Sequence, residues 1–401
     1  MKNLNREKYL LKIRPFYNKQ LIKVISGQRR VGKSFFLRQV MNELKEINPK
    51  SNFIFIDKEK FEFDAIKSYA DLITYINERL KPELINYLFI DEVQEIIEFE
   101  KALRSLLSEG NFDIYCTGSN MQVFSGELAT LLSGRQIEIR IHALSYPEFL
   151  TFHHLENNKN SFNKFIKYGG LPYLIHLEHD DEVIFDYLKN IYDTILFRDV
   201  LARNNLRDQT FLQNLIYYLA INSGNIISAN KIADYLKSIK SDKTVAIIIN
   251  YLYYIQQAYI ISGVKRKEIS GKKIFENGVK YYFEDLGLRN AVCGFKPGDI
   301  HIVLENLVYN HLITLGYEIY VGKIGTNEVD FIAEKKGETI YFQVTYMLNS
   351  ENVLGREFGN LNKIDDNFPK YVVSMDDVDF STSYKGIKQI NIIDFLNTTS
   401  F

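Results

Sequence analysis

One segment combines glycines, a lysine and a serine at a spacing that could bind phosphate. It reads GQRRVGKS at residues 27–34, after an apolar run over 21–25 and before a predicted helix over 35–45. Glycines let successive backbone N–H groups turn toward an anion at the start of a helix. In such loops the lysine bridges the β- and γ-phosphates, and the serine ligates Mg²⁺. The spacing therefore predicts a Walker A loop that binds ATP through Lys33 and Mg²⁺ through Ser34.

A second apolar run, 87–90, ends in two adjacent carboxylates, Asp91 and Glu92. Asp91 is predicted to hold Mg²⁺ together with Ser34, and Glu92 to polarise the water that attacks the γ-phosphate. A glutamate at this place favours hydrolysis over binding alone. The predicted contacts of the nucleotide and its metal are Gly27, Gln28, Arg29, Arg30, Val31, Gly32, Lys33, Ser34, Phe35 and Asp91.

Two further positions could complete a catalytic site. A third apolar strand, 112–117, is followed by Ser119 and Asn120, either of which could contact the attacking water or simply close a turn. Arg135 follows a short helical stretch over 127–133 and is predicted to be an arginine finger, which stabilises charge on the transferred phosphoryl group. The other arginines that could take this role are Arg198, Arg203 and Arg207.

Seven segments, in order along nearly the whole chain, resemble the AAA-type ATPases of bacteria and archaea that carry a C-terminal domain of unknown function. They are GQRRVGKS at 27–34, FIDEVQ at 89–94, TGSN at 117–120, ELATLLSGR at 127–135, LSYPEFL at 144–150, YGGLP at 168–172 and YFEDLGLR at 282–289. The resemblance implies ATP binding, hydrolysis and a role near DNA, without fixing a biological task.

The expected fold class is α/β, with four domains. They are an AAA-type P-loop NTPase core (1–149), a helical lid (150–208), a winged helix (209–294) and a restriction-endonuclease-like α/β domain (295–401). A lid that closes on nucleotide would convert hydrolysis into motion of the other domains.

The winged helix is predicted from three helices and a β-hairpin. Its third helix, 244–256, could enter the major groove of DNA while basic residues of the hairpin contact phosphates. That helix is apolar and aromatic, however, which also fits a module that binds protein. The basic hairpin residues are Lys265, Arg266, Lys267, Lys272 and Lys273.

The last domain shows a helix and three strands that carry Glu305, Asp330 and Gln343, and it resembles the PD-(D/E)XK nuclease fold. In active members an acidic residue and a following acidic residue or glutamine bind Mg²⁺ beside a lysine two positions later. Here that position is Thr345, which carries no positive charge to hold a hydroxide near a phosphodiester. The domain is therefore predicted to bind nucleic acid or a partner without cleaving. The lysines that could replace the missing one are Lys323 and Lys363.

Composition places few further limits. The chain has 401 residues, 46% of them hydrophobic, and a net charge of −1, which argues against coating nucleic acid by bulk charge. Its two cysteines show no pairing pattern, and the N-terminus lacks the apolar core of a signal peptide, so a cytoplasmic location is expected. An uncharged stretch over 246–263 is interrupted by Asn and Gln, which favours a buried helix and strand over a membrane span.

The sequence thus predicts a magnesium-dependent ATPase that couples hydrolysis to remodelling of DNA or of a partner, and that could form a homo-oligomer. One alternative is a slow nucleotide-dependent switch that recruits a protein partner. The other is an ATP-regulated DNA nuclease.

Overall fold

The computed structural model describes residues 5–121, 134–178, 180–238, 243–271, 273–348, 351–377 and 383–401. The chain divides into an N-terminal unit, Met1–His142 with Gln257–Tyr259, and a C-terminal unit, Ala143–Gln256 with Ile260–Phe401.

The N-terminal unit is built on a five-stranded parallel sheet. Its strands are β1 (Ile22–Ser26), β2 (Asn52–Asp57), β3 (Asn86–Asp91), β4 (Phe112–Gly118) and β5 (Gln136–Arg140). The order β2-β3-β4-β1-β5 inserts β4 between the two strands that precede the predicted phosphate loop and the acidic pair. The described helices are α1 (Glu7–Ile13), α2 (Lys33–Ile47), α3 (Tyr69–Asn77) and α4 (Phe99–Glu109).

The central strands of this sheet are buried, whereas β5 at its edge is partly exposed. β1, β3 and β4 are buried along their whole length, as is typical of central parallel strands. The register pairs Ser26 with Gly118 and Asp57 with Asp91. The carboxyl ends of four strands therefore meet at one edge, where the predicted chemistry lies. This sheet confirms the predicted α/β class.

The C-terminal unit begins with helices. They are α5 (Tyr146–His153), α6 (Lys159–Tyr168), α7 (Asp181–Thr194), α8 (Gln209–Ile221), α9 (Ala229–Ser238) and α10 (Val245–Gln257). Later helices are α11 (Leu286–Cys293), α12 (Ile300–Thr314), α13 (Glu351–Asn362) and α14 (Ile392–Asn397). In the part of the chain that the structure describes, no helix is long and apolar enough to cross a membrane.

An eight-stranded mixed sheet completes this unit. Its strands are β6 (Ile261–Glu268), β7 (Ile274–Phe283), β8 (Glu318–Ile324), β9 (Asn327–Lys335), β10 (Glu338–Val344), β11 (Lys370–Ser374), β12 (Ser383–Tyr384) and β13 (Ile387–Asn391). The order is β12-β13-β11-β10-β9-β8-β6-β7. The hairpin expected in the winged helix is therefore continuous with the C-terminal strands, since Arg266 pairs with Val321. The domain limits within this unit stay predictions, and the limit at residue 294 is crossed by one sheet.

Two sequence segments that carried the family resemblance pack on each other here. The backbone N–H of Gly170, in YGGLP, donates to the Asp285 carboxylate at 2.7 Å, and Asp285 also caps α11 by accepting from Leu288 N. A Cβ atom at Gly287 would lie 2.0 Å from the backbone oxygen of Tyr168. Burial raises the pKa of Asp285 to about 6, although these backbone N–H donors lower it. Gly287 is thus required by a close backbone contact between the two segments.

Candidate active site

The predicted phosphate loop connects a buried strand to a helix. β1 ends at Ser26, and α2 begins at Lys33. Gly27 has a φ of 141°, and a Cβ atom there would lie 2.2 Å from the backbone oxygen of Ile141. Gly32 has a φ of 96°, in the left-handed region that favours glycine. Both glycines are therefore needed for this turn.

The lysine of the loop is held inside it. Lys33 is buried, and its Nζ donates to the backbone oxygen of Gln28 at 2.9 Å. The same Nζ lies 3.9 Å from Glu92 Oε1. Arg29 is also buried in the loop, whereas Arg30 and Phe35 are exposed. The loop thus carries its positive charge where α2 begins.

Asp91 lies at the end of β3 beside the serine of the loop. Its Oδ1 accepts a hydrogen bond from Thr117 Oγ1 at 2.5 Å, and Ser34 also bonds to its carboxylate. Burial raises the pKa of Asp91, and these two hydrogen bonds partly offset the rise. The structure therefore brings together the two predicted oxygen ligands of Mg²⁺, Ser34 and Asp91.

Glu92 is fixed by the strand that lies between the two motifs. Its backbone N–H donates to Thr117 Oγ1 at 2.8 Å, and its φ of 54° turns the side chain out of the strand direction. Ser119 Oγ donates to Glu92 Oε2 at 3.1 Å, and Gln94 Nε2 donates to the same oxygen. The carboxylate is thus oriented by two side-chain donors.

The charges around Glu92 decide its protonation. Burial alone would raise its pKa, but the charges of Lys33 and Arg29 lower it, as do the hydrogen bonds from Gln94 and Ser119. The net pKa lies below the ordinary value of a glutamate. Glu92 is therefore ionised at neutral pH and able to accept a proton.

Sequence reasoning left Ser119 and Asn120 as alternatives for a polar contact. Of the two, Ser119 donates a hydrogen bond to Glu92, and Asn120, the next residue in the chain, is fully buried. The sequence indicated no role for Thr117, which contacts both acidic residues, or for Gln94. A small polar residue near the end of β4 was the available signal, but its meaning depends on β4 lying next to β3.

Replacing Thr117 by valine removes a hydroxyl that donates one hydrogen bond and accepts another, with little change in the shape of the side chain. Losing such a buried group costs about 1–3 kcal/mol, so ATP turnover is expected to fall by about tenfold to a hundredfold. Thr117→Ser, which keeps the hydroxyl, should retain most of the rate. Steady-state phosphate release at saturating ATP measures both. Equal rates for the valine and serine variants would contradict a positioning role.

Arg135 lies apart from this site. It is exposed and immediately precedes β5, where its backbone oxygen accepts from Ile22 N at 2.9 Å. The carboxyl end of β5 is Arg140, which pairs with Ser26 at the loop. Arg135 therefore lies at the amino end of its strand, whereas the phosphate loop of the same chain lies at the carboxyl ends of the strands. The preceding stretch, 127–133, lies outside the described residues.

The phosphate loop also contacts Tyr259. Gln28 is buried, and its Nε2 donates to the backbone oxygen of Tyr259 at 2.9 Å. The Arg140 guanidinium lies over the Tyr259 ring, 4.8 Å from its centroid. Tyr259 lies two residues after the end of α10, and nothing in the sequence indicated that it would reach the loop.

Comparison with known proteins agrees with this geometry. A family model described as an AAA domain matches residues 19–150, and one described as a domain of unknown function (DUF8612) matches residues 159–299. An uncharacterized protein of Haemophilus influenzae is 34% identical over 400 residues, which cover 98% of each chain. This chain belongs to the family of AAA-type P-loop ATPases that carry a domain of unknown function.

A second relative by sequence and one solved structure are also similar to this AAA-type chain. An uncharacterized protein of Methanocaldococcus jannaschii is 33% identical over 353 residues, which cover 82% of this chain and 76% of the relative. A solved Walker-type ATPase of Pyrococcus abyssi has a TM-score of 0.51 and 16% identity, and the match covers 72% of this chain and 95% of that one. The structural match shows the fold and confirms the predicted P-loop core.

Proposed function

We propose that this AAA-type protein hydrolyses ATP to ADP and phosphate with Mg²⁺. The observation that carries the proposal is Glu92, a buried carboxylate with a lowered pKa that two donors hold 3.9 Å from the ammonium of Lys33. A protein that only bound ATP would not need a proton acceptor fixed at this position.

The residues fit MgATP by their chemistry. Ser34 and Asp91, which already share a hydrogen bond, would hold Mg²⁺. Bound there, the metal would offset the negative charge of the phosphates. Lys33 would exchange its hydrogen bond to the Gln28 carbonyl for one to the phosphates, and the N–H groups at the start of α2 would complete the anion site.

Glu92 then acts on water. It takes a proton from a water molecule as the water oxygen bonds to the γ-phosphorus and the bond from that phosphorus to the ADP oxygen breaks. Phosphate and ADP leave, and the proton passes to solvent. Ser119 and Gln94 keep the carboxylate aimed during this step.

Arg135 acts, in this proposal, on the nucleotide of a neighbouring copy of the chain. The support is its exposure at the sheet edge opposite its own loop, because an arginine finger supplied in trans must be accessible. The functional form is then a homo-oligomer.

The partner whose binding changes with ATP binding and hydrolysis is, in this proposal, a protein rather than DNA. Helix α10, the predicted groove reader, has no charged residue, and it exposes the apolar side chains of Val245, Ile249 and Tyr253 at four-residue spacing. On the hairpin, Lys267 is already paired with Glu334 at 2.6 Å. An apolar helix face suits a protein surface better than a phosphate backbone.

Steady-state phosphate release, measured with and without duplex and single-stranded DNA, tests this function. We expect turnover that DNA changes by less than about twofold, because the uncharged helix α10 offers no cation to the phosphates of DNA. Strong stimulation by DNA would reverse the preference for a protein partner. No turnover under any condition would favour the alternative of a slow nucleotide-dependent switch.

An ATP-regulated nuclease is the remaining alternative. Its support is the order of Glu305, Asp330 and Gln343 along the C-terminal unit, and its weakness is the uncharged Thr345 two residues after Gln343. Nicking of supercoiled plasmid by the ATP-bound protein with Mg²⁺ or Mn²⁺ tests it directly.

A further inference from the structure

Arg29 is a second buried cation of the phosphate loop, besides Lys33. Its side chain is 5% exposed, whereas the next residue, Arg30, is exposed. The sequence predicted both arginines as nucleotide contacts, and their burial distinguishes them. Burying a guanidinium is costly unless an anion offsets its charge. The anions that lie near Arg29 therefore indicate what this side chain does.

Two carboxylates lie near Arg29. Its Nη1 lies 3.6 Å from Oε1 of Glu59, which comes two residues after the end of β2. Burial raises the pKa of Glu92, and the charges of Lys33 and Arg29 lower it, so Arg29 is also close to the carboxylate proposed to activate water. The guanidinium thus lies near the place at which the γ-phosphate would react.

The ion pair between Arg29 and Glu59 is weak enough to be exchanged. Its N···O distance of 3.6 Å exceeds the length of a hydrogen bond. The Glu59 side chain is 46% exposed, so water can solvate this carboxylate when the arginine leaves it. A phosphate group, by contrast, can accept two parallel N–H bonds from a guanidinium, and such charged bonds are about twice as strong as neutral ones. Arg29 should therefore prefer a phosphate to Glu59.

We propose that Arg29 recognises the γ-phosphate of ATP bound to its own chain, and that it leaves Glu59 to do so. The site then distinguishes ATP from ADP, because with ADP bound Arg29 stays with Glu59. This inference rests on the proposed binding of ATP. Lys33 would contact the β-phosphate as well, so it distinguishes the two nucleotides less. Arg135 would act at a later step, on the phosphoryl group that is transferred in a neighbouring chain.

Equilibrium binding to the full chain tests the proposal. Isothermal titration calorimetry gives the dissociation constants of ADP and of AMPPNP, an ATP analogue that resists hydrolysis, both with Mg²⁺. Arg29→Met keeps an unbranched side chain but removes the guanidinium. We expect its dissociation constant for AMPPNP to rise by about tenfold or more, because hydrogen bonds to a charged group are lost. The constant for ADP should change by less than about threefold.

Glu59→Gln is the opposite test, since it removes the carboxylate that competes with the phosphate for Arg29. We expect this variant to bind AMPPNP at least as tightly as the wild type, with its affinity for ADP unchanged. If Glu59→Gln instead loses affinity for AMPPNP as Arg29→Met does, the ion pair only maintains the loop and the proposal is wrong.

Arg38→Met is the matched control. Arg38 also pairs with a carboxylate at the end of β2, because its Nη2 lies 2.8 Å from Asp57 Oδ2, but its side chain is 45% exposed. The ratio of its dissociation constants for ADP and AMPPNP should equal that of the wild type. Circular dichroism checks each fold. If Arg29→Met does not fold, Arg29→Lys, which keeps the charge but not the paired donors, should still weaken AMPPNP binding by about threefold or more.

Failure of this inference differs from failure of the proposed hydrolysis. If the wild type releases no phosphate from ATP, but prefers AMPPNP to ADP and loses this preference in Arg29→Met, hydrolysis is wrong and γ-phosphate recognition stands. If the wild type hydrolyses ATP while a folded Arg29→Met keeps the wild-type ratio of dissociation constants, the role of Arg29 is wrong. A wild-type protein that binds neither nucleotide overturns both.

Discussion

Replacing Glu92 by glutamine is expected to lower steady-state phosphate release by about 10²- to 10⁴-fold, the usual contribution of a general base. Glutamine keeps the shape and can still be held by Ser119 and Gln94, but it cannot accept the proton of the attacking water. ATP affinity, measured by equilibrium binding of a fluorescent ATP analogue, should change little, because Lys33 and the loop backbone remain.

Glu95→Gln is the matched control for this experiment, since Glu95 is an exposed carboxylate three residues away. Its turnover should equal that of the wild type. If Glu92→Gln also turns over at the wild-type rate, water is activated elsewhere and the proposed mechanism fails. Because the pKa of Glu92 is lowered, this carboxylate stays ionised down to its ordinary titration range. It should therefore add no acid limb to the turnover profile between about pH 6 and 8.

Gly287→Ala is expected to be the most destabilising single-methyl change in the C-terminal unit. The added Cβ would lie 2.0 Å from the backbone oxygen of Tyr168, so the two segments must separate. Overpacking of this kind costs about 3 kcal/mol, which exceeds the roughly 1 kcal/mol that alanine gains over glycine in a helix. We expect the thermal unfolding midpoint, followed by circular dichroism, to fall by about 6 °C or more.

Gly298→Ala is the control for this change. No described atom lies within 4 Å of a Cβ at Gly298, and its φ is not positive. Its midpoint should stay within about 2 °C of the wild type. If Gly287→Ala matches this control, the contact between the YGGLP and YFEDLGLR segments tolerates a methyl group, and Gly287 needs another explanation.

Short-range patterns predicted the local structure around the candidate nucleotide site. The strand, turn and helix around Gly27 and Lys33, and the acidic pair after β3, were read from neighbouring residues, because each depends on local backbone geometry and on the end of one strand. The third helix of the predicted winged helix, 244–256, was also predicted close to its observed bounds, Val245–Gln257, for the same reason.

The sequence by itself thus determined the α/β class and the P-loop core, and it predicted which residues would bind MgATP and activate water. Only the tertiary structure decided which side chains meet from distant segments. Thr117 holds Asp91 and Glu92 because β4 lies beside β3, Arg135 lies away from its own loop because β5 runs parallel to β1, and Lys280 meets Asp330 because β6 pairs with β8. The physical reason is that strand order is set by pairing and burial across the whole sheet, which no local pattern of residues encodes.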